Sequence, residues 1–230
     1  MARLSFKRHR HKPEVIRQAV WLYYRFSLSL RDVEEILAER GVDASYEAVR
    51  NWCRKFGKQI ARNLKRRRPV PSPRWHLDEM VSRIEGRHMY LWRAVDDEGE
   101  VLGTSVERRR EAVTATSFLQ KLLRDQPVTP EVIVTDGLKS YGSAVEALGL
   151  QALHSPGRLR ENNRVENSHL PIRKRERHMQ QFKSQRSAQR FLTVHAAVYN
   201  TFYVQRHVAS RPAMKVLRTR AHQAWREAVA

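Results

Sequence analysis

Apolar residues recur along the first quarter of the 230-residue chain at three- and four-residue spacings. Val15, Ile16, Ala19, Val20, Leu22 and Tyr23 make one such stripe, which predicts an amphipathic helix over residues 13–25 with Pro13 in its first turn. Ser29, followed three residues later by Asp32, has the form of a capping box. It predicts a second helix with Val33, Ile36 and Leu37 inward and an end near Gly41. Ser45 can cap a third helix whose inner face is Ala48, Val49, Trp52 and Phe56, leaving Arg50, Asn51, Arg54 and Lys55 outside. The pattern then changes period. Trp75 to Val81, His88 to Asp96 and Val101 to Val106 predict three strands in an antiparallel meander, divided by Gly86 and by the turn Asp97-Glu98-Gly99. A helix over 114–124 follows, with Phe118, Leu119, Leu122 and Leu123 inward, and then the short apolar run Val132-Ile133-Val134 of a buried strand. A helix over 140–148, a brief fifth strand at Gln151 to Leu153, a helix from Asn162 or Asn163 and a core helix over 184–206 complete the prediction.

This order of three strands, helix, strand, helix, strand, helix is that of an α/β, ribonuclease-H-like catalytic core with a mixed five-stranded sheet, preceded by an all-α helix-turn-helix domain. The expected domains are residues 1–57 as helix-turn-helix, 58–73 as a basic, proline-rich linker, 74–209 as the catalytic core and 210–230 as a C-terminal helical tail. The linker is marked by Lys65-Arg66-Arg67-Arg68 running into Pro69, Pro71 and Pro73, which prevent helix continuation.

Charge sharpens the picture. The chain has 44 Lys and Arg against 24 Asp and Glu, a formal charge of +20, for which a polyanionic partner, nucleic acid first, is the natural reading. Residues 1–68 alone hold 18 Lys and Arg against 7 Asp and Glu. Two short helices joined by a glycine-containing turn, the second basic on its free face, suit major-groove entry by Arg50, Asn51, Arg54 and Lys55. The run containing Arg66 and Arg67 reads equally as a solvated linker or as a phosphate contact. A single cysteine, Cys53, excludes an intramolecular disulfide and multi-cysteine zinc sites and fits a reducing cytosol. His9 and His11 lack cysteine partners for zinc. No apolar run approaches the roughly 20 residues of a membrane span, so no membrane partner is expected and a cytoplasmic location is.

The candidate chemistry lies in three carboxylates. Asp78 falls within the first strand, Asp136 at the exit of the buried fourth strand, and Glu166 in the first turns of the later helix. A strand end of this kind opens on the crevice where α/β sheets bind ligands. Converging carboxylates repel unless a cation intervenes, and hard oxygen donors select two Mg2+ or Mn2+ ions, which in phosphoryl transfer stand roughly 3.5–4 Å apart. Taken alone, Asp136 before Gly137 also reads as a turn residue and Glu166 as a helix-surface charge. Glu79 neighbours Asp78, but strand alternation sends the two to opposite faces, so only one is expected to join the site. Arg173 follows Glu166 by two helical turns, where it could hold a phosphate, although Pro171 intervenes and is expected to kink or end the helix. Lys174, Arg175 and Arg177 continue a basic stretch expected to follow the DNA backbone. His169 shares the face of Glu166 and reads as a packing or hydrogen-bonding residue.

Several blocks, in order, resemble the DDE (Asp-Asp-Glu) transposases of the sixth insertion-sequence family, IS-six. They are Leu22 to Gly41, Trp75-His-Leu-Asp-Glu-Met80, Leu91 to Gly99, Val134-Thr-Asp-Gly-Leu138, Asn162-Asn-Arg-Val-Glu-Asn-Ser-His169 and Arg175-Glu-Arg177. The resemblance implies that Asp78, Asp136 and Glu166 are both the catalytic and the metal-holding residues. It also implies hydrolysis at the ends of an insertion sequence, attack of the freed 3′-hydroxyl on target DNA, and cointegrate formation by a homodimer on paired terminal inverted repeats. Two other readings are a non-catalytic DNA-binding protein derived from a transposase, distinguished by binding without cleavage, and a general ribonuclease-H-type nuclease, which leaves the helix-turn-helix unexplained.

Overall fold

A computed structural model describes residues 3–157, 162–204 and 209–230. The chain divides into two compact units, one of residues 1–68 with 193–230, the other of residues 69–192.

The first unit is helical. Helix α1, Pro13–Arg25, buries Ile16, Ala19, Val20, Leu22, Tyr23 and Tyr24. Helix α2, Leu30–Ala38, opens on the predicted capping box: the Ser29 hydroxyl accepts from the Asp32 amide at 3.1 Å, and the Ser29 amide donates to the Asp32 carboxylate at 2.8 Å. Gly41 takes φ 70° in the turn that follows, a left-handed conformation that an L side chain resists. Helix α3 runs Tyr46–Lys65, well into the stretch expected to be linker, because Ile60, Ala61 and Leu64 prolong its buried stripe. Helix α8, Arg211–Ala228, packs against α3, where the Asn63 side chain donates to the Ala228 carbonyl at 2.8 Å. The C-terminal helix is grouped with this unit.

The second unit is built on a five-stranded sheet in the order β3-β2-β1-β4-β5. Strands β1 (Arg74–Ile84), β2 (Arg87–Asp96) and β3 (Val101–Glu107) form the antiparallel meander, while β4 (Val132–Thr135) and β5 (His154–Pro156) add parallel to β1 on its other side. Residues 151–153, expected as the fifth strand, instead form a 3-10 turn, and the strand follows three residues later. Pro156 is tolerated there because β5 is the sheet's edge. Helices α4 (Ala112–Asp125) and α5 (Lys139–Ala147) bury Phe118, Leu119, Leu122, Tyr141 and Val145 against Trp75, Leu77, Trp92 and Ile133. Gly103 permits this approach, since a Cβ there would lie 2.5 Å from Leu122 Cδ2. Helix α6 (Asn163–His178) packs on β1 and β2.

Pro171 lies inside α6 without ending it. The missing N–H orphans the carbonyl of Asn167, an exposed residue where water can substitute. Helix α7, Gln185–Phe202, begins in this unit and ends in the other; residues 205 and 206 of its predicted span lie outside the described residues. The mixed sheet in this order, with helices on it, is the ribonuclease-H-like arrangement, α/β with an all-α segment before it.

Candidate active site

Alternation along β1 assigns its side chains to two environments. Trp75, Leu77 and Glu79 face α4 and α5; Asp78, paired in register with Arg93, faces α6. Parallel pairing of β1 with β4 ends at His76↔Val134. Continuing that register sets Thr135 beside Leu77 and Asp136 beside Asp78, but β4 stops at Thr135 while β1 runs on to Ile84. Past that point the β4 side of β1 carries no strand.

Oxygens of Asp78, Glu79 and Asp136 converge there, all within 4.8 Å of one another. This corrects the expectation that only one of Asp78 and Glu79 can join the site. The two do leave the strand on opposite faces, but the vacant edge lets both carboxylates turn toward Asp136. The sequence gives the alternation and not where β4 ends.

Around the cluster each group has a distinct setting. Asp136 bends back on its own turn, accepting from the Leu138 amide at 3.1 Å, with Gly137 at φ 81°. The Asp78 carboxylate lies 3.1 Å from His169 Nε2. Burial pushes the His169 imidazole below its ordinary range, against the pull of Asp78, which favours the neutral ring; in that form Nε2 must carry the proton to donate to the Asp78 carboxylate. Glu79 is almost wholly enclosed, its side chain 2% exposed. It accepts from the Tyr141 hydroxyl at 2.9 Å and pairs with Arg110. Burial raises the Glu79 carboxyl to about 7, partly offset by Tyr141 and Arg110, and burial likewise raises the Tyr141 phenol well above its ordinary value.

Glu166 sits in the first turn of α6 and is exposed; it is not one of the three clustered carboxylates. Its helix is nevertheless tied to the site. The Asn162 side chain, buried at the helix start, donates to the Leu77 carbonyl at 3.0 Å, immediately before Asp78. About two turns further, Ser168 accepts from Arg93 at 2.8 Å and His169 reaches Asp78.

Of the residues expected to contact DNA, Arg50, Asn51, Arg54 and Lys55 are exposed on α3, Arg66 and Arg67 at its end, and Arg173 on α6. Arg50 also pairs with Glu47 at 2.6 Å, and Arg67 pairs with Glu227. Arg175 departs from expectation. It is buried, its guanidinium 5.0 Å from the centroid of the Phe191 ring, because α6 turns that position into the protein and not toward solvent. Arg110 and Tyr141 are site residues to which nothing in the sequence points; Glu79 is weighed there only as an alternative to Asp78, and Asn162 only as the start of the later helix.

Three carboxylates so close repel unless a cation or proton sits among them, and an all-oxygen donor set fits a hard divalent ion such as Mg2+ or Mn2+. Acids on β1 and just past the end of β4, on a ribonuclease-H-like sheet, point to the class of polynucleotidyl transfer domains. Residues 72–205 match a family model described as a DDE domain, of the IS240 transposase type. The transposase for the insertion sequence-like element IS431mec of Staphylococcus aureus (strain Mu50) is 28% identical over 199 residues, covering 84% of this chain and 88% of that protein. The S. aureus transposase for IS257 in transposon Tn4003 is 27% identical over the same extent. In the cryo-EM structure of the simian T-cell lymphotropic virus intasome in complex with PP2A regulatory subunit B56 gamma, a chain overlaps 69% of this chain and 56% of its own length, with TM-score 0.43 and 16% identity. The chain belongs to the DDE transposases of the IS-six family. Among the described residues no helix is long and apolar enough to cross a membrane.

Proposed function

We propose that this transposase binds the terminal inverted repeats of its insertion sequence and catalyses metal-dependent 3′-end cleavage followed by strand transfer into target DNA, giving cointegrates. The observation that carries this reading is the convergence of Asp78 and Asp136 at the open edge of β1, in a chain of this family. Asp78 and Asp136 hold the catalytic divalent ions, with Glu166 as the third carboxylate. What supports Glu166 is its place one turn before His169, on the helix that Asn162 pins beside Asp78. When bound, such ions activate the attacking oxygen and stabilise the leaving oxygen of phosphodiester transfer. His169 orients the Asp78 carboxylate through its neutral Nε2–H, and Arg173 is available on the exposed face of α6 to hold backbone phosphate.

Arg50, Asn51, Arg54 and Lys55 present the basic face of α3 to the major groove, and Arg66 and Arg67 contact phosphate at the end of the same helix. Two protomers act on paired ends. We place the helix-turn-helix in residues 1–57, the basic junction in 58–73, the catalytic core in 74–209 and a helical end in 210–230. The test is nicking and joining of end-sequence DNA with Mg2+ or Mn2+. Asp136→Asn should abolish both while leaving binding intact; a variant that still cuts defeats the assignment, and a wild type that binds without cutting points to a non-catalytic binder.

A further inference from the structure

Arg110 stands in the short link between β3 and α4, at the end of the run Arg108-Arg109-Arg110. Its neighbour Arg109 pairs with Glu111 at 3.2 Å, whereas Arg110 reaches into the carboxylate cluster. Its Nε contacts Glu79, and its Nη2 lies 3.6 Å from Asp136 Oδ2. The two contacts are unequal. Glu79 is enclosed and held from behind by the Tyr141 hydroxyl, while Asp136 is about one-third exposed at 34% and its contact is the looser. One fixed, permanently charged fork thus spans two of the three converging carboxylates.

We propose that Arg110 is a resident counter-ion of the active site, anchored on Glu79, whose guanidinium must leave Asp136 for a divalent cation to bind there. This rests on the reading that the cluster takes such a cation. Asp136 Oδ1 already accepts from the Leu138 amide, which leaves Oδ2, the oxygen facing Arg110, as the one open to a cation, and two positive charges cannot share it without repulsion. Arg110 therefore keeps the acids assembled before loading and weakens loading by competition. Its release is confined to the Asp136 end, because the Glu79 end is enclosed and braced. Arg110 acts through Asp136 and is a positioning residue.

The experiment is a Mn2+ titration of the full chain without DNA, read by the electron paramagnetic resonance of free Mn2+. Wild type should bind and Asp136→Asn should lose binding. Arg110→Gln, neutral but still able to hydrogen-bond Glu79, should bind roughly tenfold tighter, the equivalent of about 1.4 kcal/mol. Tightening separates this role from structural damage, which weakens binding. Wild-type binding that is lost in Asp136→Asn but unchanged or weaker in a folded Arg110→Gln overturns the role of Arg110 alone; absence of binding in the wild type removes the metal reading and the proposal with it. A second measurement needs no neutral variant. The Arg110 Nη–H resonances, assigned by their loss in Arg110→Lys, should shift as Mg2+ is added to the wild type, and resonances indifferent to saturating Mg2+ overturn the proposal.

Discussion

Tyr141→Phe removes one oxygen from a side chain with no exposed surface, and its cost should depend on pH. The lost contact is the 2.9 Å hydrogen bond from the Tyr141 hydroxyl to Glu79, whose side chain is enclosed and has no water to replace it. A hydrogen bond to an ionised partner contributes about 1.5–3 kcal/mol, against about 1 kcal/mol between neutral groups. Glu79 has its folded-state value raised from 4.5 to about 7. For an acid raised in this way, the stability it contributes is fully present below pH 4.5 and is lost as pH rises through 7. The hydroxyl is one of the influences holding Glu79 down, so in Tyr141→Phe the carboxyl moves further up and the loss continues above 7. The difference between wild type and variant should therefore be about 1 kcal/mol at pH 5 and grow to about 2–3 kcal/mol at pH 8.5. Urea unfolding in EDTA, followed by tryptophan fluorescence with hydrogen exchange of the α5 amides, measures it; the Trp92 ring lies 5.3 Å from that of Tyr141. A difference that is flat with pH, or that shrinks toward alkaline pH, refutes the reasoning.

Gly103→Ala should destabilise the second unit by about 1–3 kcal/mol, because the added methyl meets Leu122 Cδ2 at 2.5 Å across the α4 contact. A thermal midpoint equal to wild type would show that α4 can give way. On the proposed metal reading, His169→Ala should lower Mn2+ affinity about 10- to 100-fold, with partial recovery in His169→Gln, since the bond to Asp78 orients one carboxylate of the cluster. Wild-type affinity in His169→Ala would make the histidine a packing residue only.

The regular elements were legible because their periods are local. The capping box at Ser29 and Asp32, each strand of the meander β1 to β3 and the apolar run of β4 declare themselves within a dozen residues, and with them the places of Asp78 within β1 and Asp136 just past β4. What escaped depends on neighbours remote along the chain. Glu79 enters the cluster because β4 ends two residues short of it in register, which no reading of β1 can reveal. Arg110 lies in a loop with no periodicity, and its partners are 31 residues before it and 26 after. Arg175 looked like part of a solvated basic stretch, and only the packing of Phe191 shows that its stem and head are covered. Pro171, which reads as a kink or an end of its helix, does not end it.

The short ladder between β1 and β4, three aligned pairs from Arg74↔Val132 to His76↔Val134, acts as the ruler for the reaction centre. Sliding β4 by a single residue would carry Asp136 about 3.3 Å along the strand axis and turn its side chain to the other side of the sheet. Bulky or polar replacements at the buried Ile133 or Val134 should therefore pull the cluster out of alignment while every acidic residue remains present.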